Sequence, residues 1–164
     1  MLGINLLFVG FVLLLNGISY LIEVDDNVKG LVNALIGVVV AINAIFEVSQ
    51  GIFASAAGMW IFALNYFIVA AHIFFGSKNW KILGIYGLFV AIVCMVFIVD
   101  SVLAGAWVLV YLWAMWGILW IQGFFSIVCG SKLADKYTPH VLIINGIASC
   151  LVPGLLVLLE IMTL

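Results

Sequence analysis

Six runs of about twenty apolar residues follow one another along the chain, near 2–22, 31–50, 57–76, 82–99, 106–129 and 139–161. Crossing roughly 30 Å of hydrocarbon takes about 20 residues of α-helix, so each run is long enough for one crossing. No segment alternates polar and apolar side chains with period two, which argues against a membrane β-barrel. Only short links remain of the 164 residues, leaving no room for an appended soluble catalytic domain. Composition agrees: 68% of side chains are hydrophobic and 7% charged, where a soluble domain carries about a quarter charged residues. The expected fold class is an all-α integral membrane protein, a six-transmembrane-helix bundle forming one domain over residues 1–164.

The links carry the orientation. Lys29, Lys78, Lys81, Lys132 and Lys136 all fall in the first, third and fifth loops, and the second and fourth have none. Chance would place five lysines on one side about one time in sixteen, and basic loops stay in the cytoplasm. Both termini are therefore expected on the outer side of a plasma (cytoplasmic) membrane, in a multi-pass protein built as three hairpins, 1–2, 3–4 and 5–6, each with a basic inner turn. The first run has no positive leader and no small-residue cleavage site before Asn16-Gly17, so it reads as a retained span. A net charge of −2 with scattered lysines gives no footprint for nucleic acid. Cys94, Cys129 and Cys150 lack metal or redox spacing and sit in apolar stretches, as small hydrophobes do.

No charged side chain lies at mid-depth, where each would cost about 2.5–3.5 kcal/mol on insertion scales. Glu47 and Glu160 lie near outer span ends, where a carboxylate can reach the headgroups, and His72 and His140 lie near the inner ends of spans 3 and 6. Two histidines on different helices could hold a haem, but partner-satisfied imidazoles are far commoner, and no cofactor or metal is expected. The polar content at depth is neutral: Asn5, Asn16, Asn33, Asn43, Asn65, Asn145 and Ser149. Such amides either glue helices together or line a path for an uncharged polar solute.

Span 5 carries the most distinctive pattern. Trp60, Trp80 and Trp107 sit at span ends, as interfacial tryptophans do. Trp113, Trp116 and Trp120 instead lie near mid-span at i, i+3, i+7, roughly one helical face. Each indole brings an N–H that needs an acceptor, so the stripe is either bundle core or the lining of a path. In span 1, Gly3, Gly10 and Gly17 form a ridge for close helix approach, flanked by Leu6, Val9, Leu13 and Asn16 at helical spacing. In span 6, Thr138 is expected to cap a helix with Pro139 in its first turn. Farther on, Pro153 removes one backbone donor and frees the Ser149 carbonyl, a break best tolerated beside a cavity or partner helix.

Taken together, several segments resemble the AmiS/UreI family of urea and short-chain amide channels. They are Met1-Leu-Gly-x-x-Leu-Leu-Phe-Val-Gly with Asn16-Gly17-Ile18, Phe75-Gly76 with Trp80, Tyr86-Gly-Leu-Phe-Val-Ala-Ile92, Trp113-Ala-Met-Trp116-Gly-Ile-Leu-Trp120, and Tyr137-Thr-Pro139 leading to Ile143-Ile-Asn-Gly-Ile147 and Pro153. The resemblance implies six helices per protomer with both termini outside, and a homohexameric ring in which each protomer holds its own pore. By motif match it assigns the constriction to Leu6, Val9 and Leu13 of span 1, Phe62 and Tyr66 of span 3, and Trp116, Leu119 and Trp120 of span 5. Asn16, Trp113 and Asn145 complete the expected pathway. A flat amide could slide between aromatic faces and aliphatic walls, with weak contacts that allow passage without trapping.

Two departures bear on regulation. In an acid-gated member of that family the position matched by Asn145 is a glutamate, and here the outer loops are short and free of histidine. Gating near pH 6 would need such titrating groups. The expected function is thus a passive, ungated channel for urea or short aliphatic amides such as acetamide, with membrane lipids as surroundings. The alternatives are an ion-coupled amide transporter, for which Glu47 is the candidate acid, and a non-transporting assembly subunit. An enzyme is not expected, since no nucleophile–base pair or metal cluster can be assembled from two histidines and interfacial carboxylates.

Overall fold

The computed structural model describes residues 2–162, so Met1 of the opening motif lies outside it. The chain runs α1 (Leu2–Ile18), α2 (Asp26–Ser49), α3 (Phe53–Phe74), α4 (Lys81–Leu103), α5 (Trp107–Ile127) and α6 (Lys132–Asn145). A π-helical segment, Gly146–Leu151, then leads without a break into α7 (Val152–Leu158). The last three pieces form one rod, Lys132–Leu158, which with α2 to α5 is long and apolar enough to cross a membrane. The α1 helix is shorter at 17 residues.

Several helix starts differ from the sequence expectation, each for a local reason. The α2 helix begins at Asp26 rather than near 31, because Asp25 caps it by accepting from the Val28 N–H at 2.9 Å, and Asp26 pairs with Lys29 at 2.9 Å. The sixth span begins at Lys132 rather than 139. Ser131, not Thr138, supplies the cap by accepting from the Ala134 N–H at 3.3 Å, and Pro139 sits inside the helix. The two short links, 50–52 and 104–106, turn at Gly51 and Gly105, whose φ values of +78° and +68° suit glycine.

Helix pairing also departs from the expected hairpins. The intimate pairs are α2 with α3, α4 with α5, and α1 with the sixth rod, whereas α1–α2, α3–α4 and α5–α6 touch less. Small residues decide this, because backbones come closest where a Cβ is missing. A Cβ on Gly10 would stand 2.8 Å from the Leu151 nitrogen and 2.9 Å from the Gly146 oxygen. Gly154 and Gly146 return the same close approach toward Leu7 and Gly10. Gly87 plays this part for α4–α5, 2.9 Å from the Trp120 oxygen, and Gly37 for α2–α3, 2.8 Å from the Phe67 ring. The glycine ridge of span 1 is therefore the seam that closes the bundle, joining the first crossing to the last.

Because Gly3 packs on Val157 and Leu158 while Gly17 packs on Ile143 and Pro139, α1 is antiparallel to the sixth rod. One face of the bundle thus holds the start of α1, the end of α7 and the short links. The other holds the three longer links and all five lysines. The outward faces stay apolar, with Phe11, Leu35, Ile42, Phe89, Ile92, Met95 and Ile118 exposed, as lipid contact requires.

Candidate functional site

Two cavities enter the bundle from its two faces. The one toward the lysine face holds about 490 Å³ and is lined by Leu13 and Asn16 of α1, Asn65 and Val69 of α3, Leu119, Trp120, Gln122 and Ser126 of α5, and Thr138 and Leu142 of α6. The one toward the face of the short links holds about 360 Å³, lined by Asn5, Leu6 and Val9 of α1, Met59 and Phe62 of α3, Phe97 of α4, and Trp113 and Trp116 of α5. Three helices pass from one cavity to the other within a few residues: Val9 to Leu13, Phe62 to Asn65, and Trp116 to Leu119. At 1.5 Å rise per residue, the wall between the cavities is about 4.5–6 Å thick, roughly one helical turn.

Aromatic side chains build that wall. Trp116 meets Phe62 edge-on at 5.0 Å and Trp113 edge-on at 4.9 Å. Trp120 lies between Phe62 at 6.1 Å and Tyr86 at 6.0 Å, and Tyr86 is anchored by donating to the Ile61 carbonyl at 2.7 Å. Trp113 stacks flat on Phe97 at 4.3 Å. Tyr66 lines neither cavity; it is fully buried one turn from both Phe62 and Val69, within the wall itself.

The polar atoms at this level divide into two groups. The Trp116 indole N–H donates to Ser149 Oγ at 3.0 Å, and that hydroxyl donates to the Asn145 carbonyl oxygen at 2.8 Å. By contrast, the Tyr66 hydroxyl and the Trp120 indole N–H are buried with no partner among the described residues. An unmet buried donor costs about 1–3 kcal/mol, so one within the wall and one beside the larger cavity mark places where a polar molecule can be bound.

Of the expected pathway residues, Leu6, Val9, Phe62, Trp113 and Trp116 line the cavity near the short links, while Leu13, Asn16, Leu119 and Trp120 line the one near the lysines. Asn145 is the correction. It lies behind Trp116, holding Ser149 and donating to the Val141 carbonyl at 3.1 Å, and lines neither cavity. Most other deep amides are glue: Asn16 and Asn33 exchange hydrogen bonds at 2.9 and 3.0 Å, and Asn43 donates to Asn5, which donates to Met59 Sδ at 2.9 Å. Glu47, expected among the headgroups, is instead buried, with Oε2 unpartnered among the described residues and away from both cavities. Both ring nitrogens of His72 lie 2.9 Å from backbone carbonyls, of Ile68 and Asn79, leaving none for a haem iron. Among the described residues no group of His, Cys, Asp or Glu could hold a metal ion.

Gln122 was not singled out by the sequence. It donates to the Ala134 carbonyl at 2.6 Å and Thr138 Oγ1 at 2.7 Å, at the side of the larger cavity. Continuing the tryptophan stripe through Leu119, Gln122 and Ser126 at i, i+3, i+7 would have found it. Phe97 had no such signal, since its role depends on α4 packing against α5.

A helical bundle with opposed cavities meeting at an aromatic wall is the architecture of a membrane transport protein. Residues 1–161 match the model of the AmiS/UreI family transporters, and the chain belongs to that family. It is 29% identical to the acid-activated urea channels of two Helicobacter pylori strains, over 98% of this chain and 98% of theirs. The cryo-electron microscopy structure of the H. pylori urea channel in its closed state superposes with a TM-score of 0.86 at 26% identity, covering 99% of this chain and all of that one. The crystal structure of the urea channel from the same organism gives 0.85 at 26% identity. The chain is thus a multi-pass membrane protein of a channel family.

Proposed function

We propose that the chain is a passive, ungated channel for urea or short aliphatic amides, with one path per protomer running through the two cavities. The observation that carries this is the one-turn wall with two unmet donors, the Tyr66 hydroxyl and the Trp120 indole N–H. A planar solute with one carbonyl oxygen can accept from those donors while its faces slide between the Phe62, Trp116 and Trp120 rings. Side-chain movements suffice to open a barrier this thin. Contacts this weak and few let the solute leave as readily as it enters.

Orientation follows from the lysines: the larger cavity opens to the cytoplasm, and the short links and chain ends face outward. The setting is the plasma membrane, with six protomers in a ring as the family resemblance implies. An ion-coupled mechanism gains little support, since Glu47, the one buried carboxylate among the described residues, lines neither cavity. Stopped-flow light scattering on proteoliposomes at pH 7.5, with urea, acetamide and glycerol, tests the proposal. Urea or acetamide should enter without saturation and faster than glycerol, and Trp116→Ala should change that selectivity. Flux no faster than empty liposomes, from folded and inserted protein, would turn the case toward an assembly subunit.

A further inference from the structure

The sixth rod changes winding where it passes behind the aromatic wall. Pro153 has no N–H for the Ser149 carbonyl, and the six residues Gly146–Leu151 before it are π-helical. Such bulges cluster at functional sites because they re-aim side chains. Here the bulge lies at the depth of the wall, pinned by α1: the Gly10 backbone presses on Leu151 and Gly146 too closely for any side chain between them. Tyr111 of α5 donates to the Ala148 carbonyl at 3.2 Å, tying the bulge to the helix that carries the tryptophans.

Within the bulge, Ser149 is fully buried and Asn145, one turn earlier, is nearly so. The serine hydroxyl has one hydrogen. It gives that to Asn145, with its backbone oxygen at 2.8 Å and Oδ1 at 3.3 Å, and its oxygen accepts from the Trp116 Nε1 at 3.0 Å. The Asn145 amide is fixed in turn by donating to the Val141 carbonyl. The relay therefore runs Trp116 to Ser149 to Asn145, with the indole N–H and the serine O–H each given to the next group. Of the two wall tryptophans that touch Phe62, Trp116 has its N–H engaged and Trp120 does not. Its N–H is turned away from the cavity it lines, and only ring carbon faces the solute.

From this geometry we infer that Ser149 is a positioning residue for selectivity: by holding the Trp116 indole, it fixes the width of the passage between Trp116 and Phe62. The inference rests on the channel reading for its consequence but not for its geometry. Without the hydroxyl the indole N–H loses its acceptor, and the ring gains freedom about its side-chain torsions. A wall set by a tethered ring excludes branched amides; a wall set by a free ring admits them.

The test uses the full chain with 15N-labelled tryptophan in nanodiscs, and the same protein in proteoliposomes. Assigning the Trp116 indole signal by its loss in Trp116→Phe, one then compares wild type, Ser149→Ala and Ser149→Thr. The indole N–H resonance of Trp116 should shift in Ser149→Ala and return in Ser149→Thr, which keeps a hydroxyl. The ratio of isobutyramide to urea entry should rise about threefold or more in the alanine variant and fall back in the threonine variant. An indole signal unmoved by Ser149→Ala would overturn the positioning role whether or not any solute passes. A moved indole with an unchanged ratio, in protein that conducts urea, would overturn the link to selectivity. Should the wild type conduct nothing, the channel reading and the claimed consequence fall together, and the indole signal still decides the relay.

Discussion

The two cavities differ in more than size. In the one near the short links, Asn5 bridges Asn43 and Met59 and Trp116 is tied to Ser149, while Ser55, Asp100 and Ser101 add polar lining of their own. What the cavity presents is largely aromatic and aliphatic surface. In the one near the lysines, Asn16, Asn65, Gln122, Ser126 and Thr138 share the lining, with Lys29 and Asp135 beside them. The smaller cavity can sort by shape and the larger one can rehydrate what has passed. Recognition by hydrogen bond is left to the wall between them, where Tyr66 and Trp120 have donors to spare.

The most damaging way to break this comparison is to open the seam behind both cavities. Gly10→Leu would force a side chain against the backbone of Leu151 and Gly146, at distances under 3 Å where no rotamer gives relief. Overpacking typically costs about 1–3 kcal/mol and more where backbone must move, so this variant is expected to lose its thermal transition in detergent. Gly117→Ala, whose Cβ would meet only the Cys94 Cβ at an ordinary 3.5 Å, should unfold within a few degrees of wild type. Equal stability of the two would mean that the first crossing is not locked to the last.

Next in size is the loss of the free donors. Tyr66→Phe combined with Trp120→Phe keeps the aromatic wall and removes both donors. Each hydrogen bond to a passing carbonyl contributes about 1 kcal/mol net, so the pair should lower urea permeability by roughly thirtyfold. Glycerol leak should stay within a factor of about two. A fall in both solutes alike would point to a collapsed passage instead of lost recognition.

The amides offer a finer contrast between the cavities. Asn65→Leu replaces a lining amide of the larger cavity, and should slow urea entry by about twofold to threefold, a fraction of a hydrogen bond in free energy. Asn5→Leu removes a group already engaged by the protein. It should lower the unfolding temperature while leaving flux per folded protein nearly unchanged. Reversal of that pattern would exchange the roles given to the two cavities.

Much of this arrangement was legible in the sequence, and the exceptions share a cause. Apolar runs gave the helical spans because hydrocarbon thickness leaves few choices. The wall residues Leu6, Val9, Leu13, Phe62, Trp116 and Trp120 were reached by family resemblance and by stripes at helical spacing. Asn145 was misplaced because spacing says which residues share a face but not which face turns to a cavity, and the π-helical shift before Pro153 alters that phase. Helix pairing was misjudged because chain order suggests neighbours, whereas the glycines at 10, 146 and 154 decide which backbones meet. Glu47 was taken for an interfacial group from its position near a span end, although its turn of α2 faces inward.

The smallest expected effect is an absence of response to external pH. Histidine is the side chain whose ordinary range brings a charge change between pH 5 and 8. The chain has two. His72 lies at the lysine-face end of α3, with its ring stacked on Trp80 at 4.6 Å and both nitrogens against carbonyls. His140 is on the third turn of the sixth rod, toward that same face. The opposite face, proposed to be external, has only the three-residue links 50–52 and 104–106 between helices, neither with a histidine. No loop there is long enough to fold over the smaller cavity and be drawn or released by protonation. Deep in the rod, the side chain beside Ser149 is the neutral Asn145 amide, whose Oδ1 lies 3.3 Å from the serine hydroxyl. Urea entry measured with external pH stepped from 7.5 to 5 at constant internal pH should therefore change by less than about twofold. A rise of tenfold would require a proton-sensitive group facing outward. Asp100, which lines the cavity on that face, would then be the residue to replace, and Asp100→Asn should abolish the response.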